Sequence, residues 1–150
     1  MTVIAYRNGV MAADSMVTQE GDVKMMNSVK IICRKGWMLA VSGNLCPPDR
    51  LVMDWFFNVE DLDAYSREPM PRFKFDMLTV TPAGKMQLWD QKGFFEPLNT
   101  PFYAIGAGGH YAMGAMEVGA NAIQAVRAAI KWSPTCGGKI VVRRLRKTGG

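Results

Sequence analysis

The stretch Thr2-Val3-Ile4-Ala5-Tyr6-Arg7-Asn8-Gly9-Val10-Met11-Ala12-Ala13-Asp14-Ser15 decides how this chain is read. Asn8-Gly9 lies between two short β-patterned runs. Both residues of a tight hairpin turn must accept positive φ, and Asn-Gly does so at little cost. The pattern predicts one strand over about residues 2–7 and a second over about 10–14. Folding about this turn pairs residues whose numbers sum to 17: Arg7 with Val10, Val3 with Asp14, Thr2 with Ser15. Thr2 also follows the initiator methionine directly. Removal of Met1 leaves an α-amine and a hydroxyl on one residue, which sets a nucleophile beside a base without a further side chain.

Working outward, residues 19–26 read as a loop. Residues 29–33 and 37–41 form a second hairpin with Arg34-Lys35-Gly36 at its turn, and Ser42-Gly43-Asn44 breaks the strand. Pro47-Pro48 suits a helix start. That helix is predicted over about 48–57, with Leu51, Val52, Trp55 and Phe56 on its apolar face. The acid- and proline-bearing stretch 58–72 reads as an exposed connection. Residues 73–81 and 85–89 form a third hairpin around Pro82-Ala83-Gly84. A strand over 102–105 enters Gly106-Ala107-Gly108-Gly109. One helix then runs to about residue 118 and another spans about 121–132, stopped by Ser133-Pro134. Residues 140–145 are the last strand. No parallel β-α-β alternation is present, so the expected class is α+β, with antiparallel sheets and segregated helices. Ala112, Ala115 and Gly119 on one helix and Ala122, Ala125 and Ala129 on the next allow close helix contact, within one chain or between subunits.

The bulk composition agrees with an ordinary folded domain. The chain has 150 residues, 49% hydrophobic and 21% charged, long enough to bury roughly 70% of its unfolded surface. No apolar run approaches the length of a membrane span, and the N-terminus is strand-like rather than a signal peptide. Cys33, Cys46 and Cys136 are odd in number and lack Cys-x-x-Cys spacing, which argues against a disulfide framework or zinc cluster and makes a reducing cytoplasm the expectation. The net charge of +5 is concentrated at the end of the chain, in Lys139, Arg143, Arg144, Arg146 and Lys147. A basic tail can hold nucleic acid, but a solvated chain end explains it more simply.

The segment from Thr2 to Gly43 resembles the N-terminal part of proteasome β subunits and of the bacterial protease HslV. The pieces that carry the resemblance are the Thr start, Gly9-Val10-Met11-Ala12-Ala13-Asp14-Ser15, Ser28-Val29-Lys30 and Val41-Ser42-Gly43. A second block, from Tyr103 through Gly106-Ala107 to Ala112, is similar to the family's Ile-Gly-Ser-Gly stretch and following helix. A third, Cys136-Gly137-Gly138-Lys139-Ile140, resembles its last loop and strand. Residues 58–100 match weakly. Both the Thr2-to-Asp14 and the Thr2-to-Lys30 intervals are four residues shorter than the family's. Removing two residues from each strand of the first hairpin accounts for both offsets and keeps every side chain on its own face.

The resemblance implies the N-terminal nucleophile (Ntn) hydrolase fold, a four-layer αββα sandwich of two antiparallel sheets. It implies one such domain over residues 1–150, with a short basic tail at about 146–150. It also implies a threonine-type peptidase that works in a homo-oligomeric ring and, by analogy alone, an ATP-dependent unfoldase partner. In that chemistry the Thr2 hydroxyl attacks a peptide carbonyl and its own α-amine takes the proton, directly or through a water. Lys30 stands beside the hydroxyl as a cation, Asp14 orients Lys30, and the Gly43 N–H donates to the developing oxyanion. No metal or cofactor is implied. Carried over residue by residue, Val17, Thr18, Ser28, Ile32, Val41 and Leu45 line the pocket for the residue before the cut bond, and because most of them are apolar the resemblance implies cleavage after apolar residues.

The chain also departs from the family. Ala107 stands where the family has serine. Ser133 and Cys136 stand where it often has an Asp followed three residues later by Ser. These are the groups that surround the Thr amine in the family, so a catalytically inactive or weak ring-forming scaffold is the alternative, with a small-amide amidohydrolase as a third reading. Other motifs carry less. Gly106-Ala107-Gly108-Gly109 could cradle an anion, but no Lys-Ser/Thr follows to make it a P-loop. His110 is the only histidine and has no ligand-forming neighbours in sequence. Cys136 has no histidine placed to activate it.

Overall fold

In the computed structural model, which describes residues 2–19, 22–26, 28–43, 50–69 and 74–146, Asn8 and Gly9 both take positive φ, 51° and 77°. Their turn joins β1 (Ile4–Arg7) to β2 (Val10–Ala13). Arg7 lies opposite Val10 and Ile4 opposite Ala13, the pairing in which residue numbers sum to 17. Beyond the ladder the Asp14 N–H donates to the Val3 carbonyl at 3.2 Å, which carries the pairing one step closer to Thr2. Within the stretch 19–26, expected as a loop, Gln19 ends β3 (Val17–Gln19) and residues 22–25 form β4 (Asp22–Met25), which pairs with β3. Its sequence is mostly polar, so no alternation of apolar residues announced it, and backbone pairing defines it.

A second tight turn, Lys35 (φ 54°) and Gly36 (φ 81°), joins β5 (Ile31–Arg34) to β6 (Trp37–Gly43). Ser42 and Gly43 do not break this strand. It runs on through Gly43, which sits opposite Phe75. Gly43 has φ 139°, and a Cβ there would lie 2.5 Å from the Lys74 carbonyl oxygen. Glycine is what lets the two strands approach at this point. The helix α1 (Arg50–Phe57) follows, then β7 (Phe75–Val80), β8 (Met86–Asp90) and β9 (Phe95–Pro97). β9 was not expected from sequence; Pro97 interrupts its pattern, yet an end strand tolerates proline. β10 (Phe102–Ile105), α2 (Gly109–Glu117), α3 (Ala122–Trp132) and β11 (Val141–Arg144) complete the order. Asn121 and Gln124 form a reciprocal capping box that starts α3 at the predicted position.

All strand pairs are antiparallel, in one sheet of order β10-β1-β2-β11 and another of order β5-β6-β7-β8-β9. Because side chains alternate between faces, three apolar layers result. Val3, Ala5, Ala12 and Ala104 pack under α2 and α3 against Ala112, Met116, Ala125, Val126 and Ala129. On the opposite face Ile4, Tyr6, Met11 and Ala13 meet Ile31, Met38, Ala40, Leu78 and Val80 of the second sheet. Beyond that sheet Trp37, Leu39, Val41, Met77 and Trp89 pack with Val52, Met53, Phe56 and Phe57 of α1. The result is the expected αββα sandwich. Full burial of each large side chain in these layers contributes roughly 1.5–3 kcal/mol. Ala112, Ala122, Ala125 and Ala129 are fully buried within the chain, whereas Ala115 is half-buried and Gly119 exposed, so most of the small-residue stripe serves contacts between α2, α3 and the sheet.

The described part of the segment after α1, residues 58–69, is mostly exposed as expected, with one exception. Arg67 is buried, at 5% exposure. Its guanidinium lies 4.8 Å from the ring centroids of both Phe56 and Trp89. It donates to the carbonyls of Phe56 (3.0 Å), Ala64 (3.0 Å), Ser66 (3.2 Å) and Leu62 (2.9 Å). Burial lowers its pKa and nearby Asp61 opposes that shift. A single planar fork thus gathers the carbonyls of an irregular segment and closes it over the α1 layer. Arg67→Ala is expected to destabilise the protein by about 3 kcal/mol, since it leaves several carbonyls unpaired and removes two ring contacts. Arg67→Lys should recover little of this, lacking the fork. Urea unfolding of the three proteins checks it; a loss under about 1 kcal/mol for the alanine variant contradicts the assigned role.

Candidate active site

The first hairpin, β5 and the loop after α3 converge on Lys30. Its side chain is completely buried, as is Asp14, and Thr2 is 2% exposed. Lys30 Nζ donates to Thr2 Oγ1 at 3.1 Å, to Asp14 Oδ1 at 2.7 Å and to the Met16 carbonyl at 2.7 Å. An ammonium has three protons, and these acceptors are placed to receive them. Asp14 is satisfied in turn. Oδ1 also accepts from the Val3 N–H at 3.2 Å, and Oδ2 accepts from the Gly137 N–H at 3.1 Å. Taking two charges out of water is costly, and such a pair persists only when remaining donors and acceptors are met. Here they are met by backbone groups from three separate segments.

The backbone of Thr2 is fixed by the glycine turn after β10. The Gly108 N–H donates to the Thr2 carbonyl at 3.1 Å. Gly106 has φ 93°, and a Cβ there would lie 2.1 Å from the Thr2 carbonyl oxygen. The same turn borders an open cleft of about 550 Å³ lined by Ser42, Gly43, Gly106 and Ala107, which continues past Lys74 and Asp76. Gly43 and Ala107 therefore line one opening beside the segment that holds Thr2. Met1 precedes Thr2 in the chain, so the Thr2 nitrogen is an amide until that residue is removed.

The loop after α3 approaches from the other side. Ser133 and Cys136 are buried. The Ser133 hydroxyl lies 3.2 Å from that of Thr135, and a Cβ on Gly108 would come within 2.7 Å of Cys136 Sγ. Burial pushes the Cys136 thiol up; hydrogen bonding to Ser133 opposes this, Asp14 adds to it, and Lys30 and Thr135 oppose it. The net shift is upward, away from a reactive thiolate.

Not all the expected pocket residues gather at the cleft. Val41 is fully buried in the layer under α1, with Ile32 packed against it. Val17 is half-buried. Ser28 is buried and its N–H donates to the Ser15 carbonyl at 2.9 Å, while its Oγ has no hydrogen-bond partner among the described residues. The Thr18 side chain and Leu45 lie outside the described residues. Sequence reasoning missed the Met16 carbonyl, the Val3 and Gly137 N–H groups and the Gly106–Gly108 turn as supports. The hairpin register already puts Val3 opposite Asp14; the others depend on contacts distant in sequence.

No protein-family model matches this chain, and no curated protein matches it. Solved structures do. BPH from Thiobacillus denitrificans in complex with epoxomicin is similar over 97% of this chain and 99% of that one, with TM-score 0.69 and 20% identity. Eukaryotic HslV from Trypanosoma brucei is similar over 95% of this chain and 97% of that one, with TM-score 0.65 and 15% identity. The chain has the proteasome- and HslV-like Ntn-hydrolase fold, and at these identities the likeness is one of fold.

Two expectations follow from the geometry. Lys30→Met strands a fully buried carboxylate and should cost about 3–5 kcal/mol, while the double variant Asp14→Leu/Lys30→Met should regain a substantial part of it. A denaturant double-mutant cycle measures the coupling, and additive effects would exclude a coupled pair. Because the Cys136 thiol is shifted up, its alkylation by iodoacetamide in the native protein should be slower at pH 7.5 than that of a free cysteine peptide. The rate should keep rising at pH values where the peptide's has levelled off. Peptide-resolved mass spectrometry reads this, and a plateau at the peptide's pH would refute the upward shift.

Proposed function

We propose that this chain is a threonine-type peptidase acting as one domain within a homo-oligomeric ring, with Thr2 as nucleophile once Met1 is removed. The observation that carries this reading is the 3.1 Å contact from Lys30 Nζ to Thr2 Oγ1 inside a buried Thr2–Lys30–Asp14 set, on a fold shared with HslV. In the proposed reaction Thr2 Oγ1 attacks the substrate carbonyl carbon. The Thr2 α-amine accepts the hydroxyl proton, directly or through one water, and returns it to the leaving amine. Lys30 favours the oxygen's developing negative charge, and Asp14 keeps Lys30 aimed. Gly43 lines the adjacent cleft, and its N–H is the proposed oxyanion donor. General-base assistance is worth about 10²–10⁴-fold, and one oxyanion donor about 3 kcal/mol. Water then hydrolyses the ester on Thr2, with the same amine as base. Substrates are unfolded proteins or peptides, cut after apolar residues, in a reducing cytoplasm. No helix among the described residues is long and apolar enough to cross a membrane. An ATP-dependent unfoldase would supply unfolded substrate.

A second reading, a ring-forming scaffold without activity, is favoured by specific residues. Ala107 offers the cleft no hydroxyl, and the Ser133 hydroxyl lies next to Thr135. Intact-mass measurement before and after epoxomicin, the compound held by the BPH structure, separates the two. Peptidase function predicts loss of Met1, an adduct on Thr2 and no adduct on Thr2→Ala. Full-length mass without adduct would favour the scaffold. In fluorogenic peptides, apolar residues before the cut should be preferred; a preference for basic or acidic ends there would sink the specificity assignment.

A further inference from the structure

At the far end of the sandwich from the β10 edge, the two sheets terminate in β11 and β5, which lie in contact. Between them opens a groove of about 390 Å³. Its floor includes Met38 and Leu145, and its rim carries Arg34, Lys35, Arg143, Arg144 and Arg146. All five cations are exposed, no carboxylate lines the groove, and none of the five forms an ion pair among the described residues. Arg34 packs over the Phe57 ring at 5.1 Å, and Arg143 donates to the Val142 carbonyl at 2.9 Å. Five like charges around one concavity repel each other, and an anionic occupant relieves that repulsion.

Residues 147–150 do not suit it, since they add a sixth cation, Lys147, and contain no acid. Trp37 also lines the groove but is 3% exposed, so no aromatic face is open for a stacked base. The complementary charge is present elsewhere in the same sequence. Glu60, Asp61 and Asp63 form its densest acidic run. All three are exposed, and none is ion-paired among the described residues. We propose that the β5–β11 groove of one copy receives the Glu60–Asp63 segment of a second copy. The contact joins two different patches. It rests on the assembly part of the proposed function and adds to it the surfaces that meet. Arginine forks and carboxylates suit bidentate pairing, which fixes register as well as attraction.

Charge exchange tests this on the full-length protein. Sedimentation velocity across a concentration series gives the assembly midpoint for the wild type, for Arg143→Glu/Arg144→Glu and for Glu60→Lys/Asp61→Lys/Asp63→Lys. Each reversal should raise the midpoint by about tenfold or more, and the effect should shrink at high salt. Mixing the two reversed proteins, or combining all five changes in one chain, should return the midpoint to within about threefold of wild type. Circular dichroism controls folding, and the neutral pair Arg143→Gln/Arg144→Gln gives a smaller shift of the same sign should the reversal fail to fold. Wild-type assembly that ignores the reversals, or is not restored by the exchange, overturns the contact while leaving assembly intact. A wild-type monomer at every concentration overturns both. A labelled single-stranded oligonucleotide is the remaining arm: binding that requires Arg143 and Arg144, with assembly unchanged, assigns the groove to nucleic acid and rejects a second copy.

Discussion

A fully buried ammonium on Lys30 constrains more of this molecule than any other group. In a low-dielectric interior a cation must find acceptors for all its protons and an opposite charge close by. Lys30 obtains them from Thr2, Asp14 and Met16, at 3.1, 2.7 and 2.7 Å. Those acceptors lie before β1 and after β2, so a slipped hairpin register would withdraw them. A one-residue slip would also turn Ile4 and Met11 away from the inter-sheet core. Electrostatics and packing therefore select the same register. The Gly137 N–H on Asp14 extends the requirement to the loop after α3, more than a hundred residues away.

The supporting contacts are made largely by backbone. Val3 N–H, Gly137 N–H, the Met16 carbonyl and the Gly108 N–H hold the three side chains and the Thr2 carbonyl. This bears on the departures at Ala107, Ser133 and Cys136. None of those side chains supplies a hydrogen bond that positions Asp14 or Lys30, so substitution there leaves the ion pair in place. Ala107 lines the cleft, while Ser133 and Cys136 are buried in the loop after α3, with the Ser133 hydroxyl beside Thr135.

Much of the architecture was legible because it is local. Asn8-Gly9 fixes a turn, the turn fixes a register, and the register places Thr2 and Asp14 near each other. The capping residues Asn121 and Gln124 start α3 where the pattern says. The unread parts share a physical cause, which is that their order comes from distant contacts. β3 and β4 lack apolar alternation. β9 is a three-residue end strand containing Pro97. Arg67, in a stretch whose composition suggests exposure, is buried because Phe56 and Trp89 happen to flank it in space. Gly43 continues a strand that its φ of 139° would suggest it ends, since Phe75 lies opposite. Of the pocket residues, Val41 illustrates the limit of carrying positions over from a resemblance: strand alternation sends it under α1.

The burial that positions Thr2 also restricts when its amine can be released. The Thr2 carbonyl is held by the Gly108 N–H and closed in by Gly106, and the side chain is tied to Lys30. An exopeptidase must draw the Met1–Thr2 bond into its own site, which requires the carbonyl of Thr2 to leave the glycine turn and its hydroxyl to leave a buried cation. In the folded chain those departures take one acceptor from Lys30, which keeps Asp14 and the Met16 carbonyl, and leave the Gly108 N–H without the Thr2 carbonyl, at a cost of about 1–3 kcal/mol for each group left unsatisfied. Under the proposed function, this favours removal of Met1 before the hairpin docks on β10. In an internal route Thr2 Oγ1 would attack the Met1 carbonyl, the Met1–Thr2 C–N bond would break with the hydroxyl proton passing to the freed amine, and water would hydrolyse the resulting ester to release methionine. Under the proposed function, the Lys30 contact on Thr2 Oγ1 that would support attack on peptides would assist this internal attack as well.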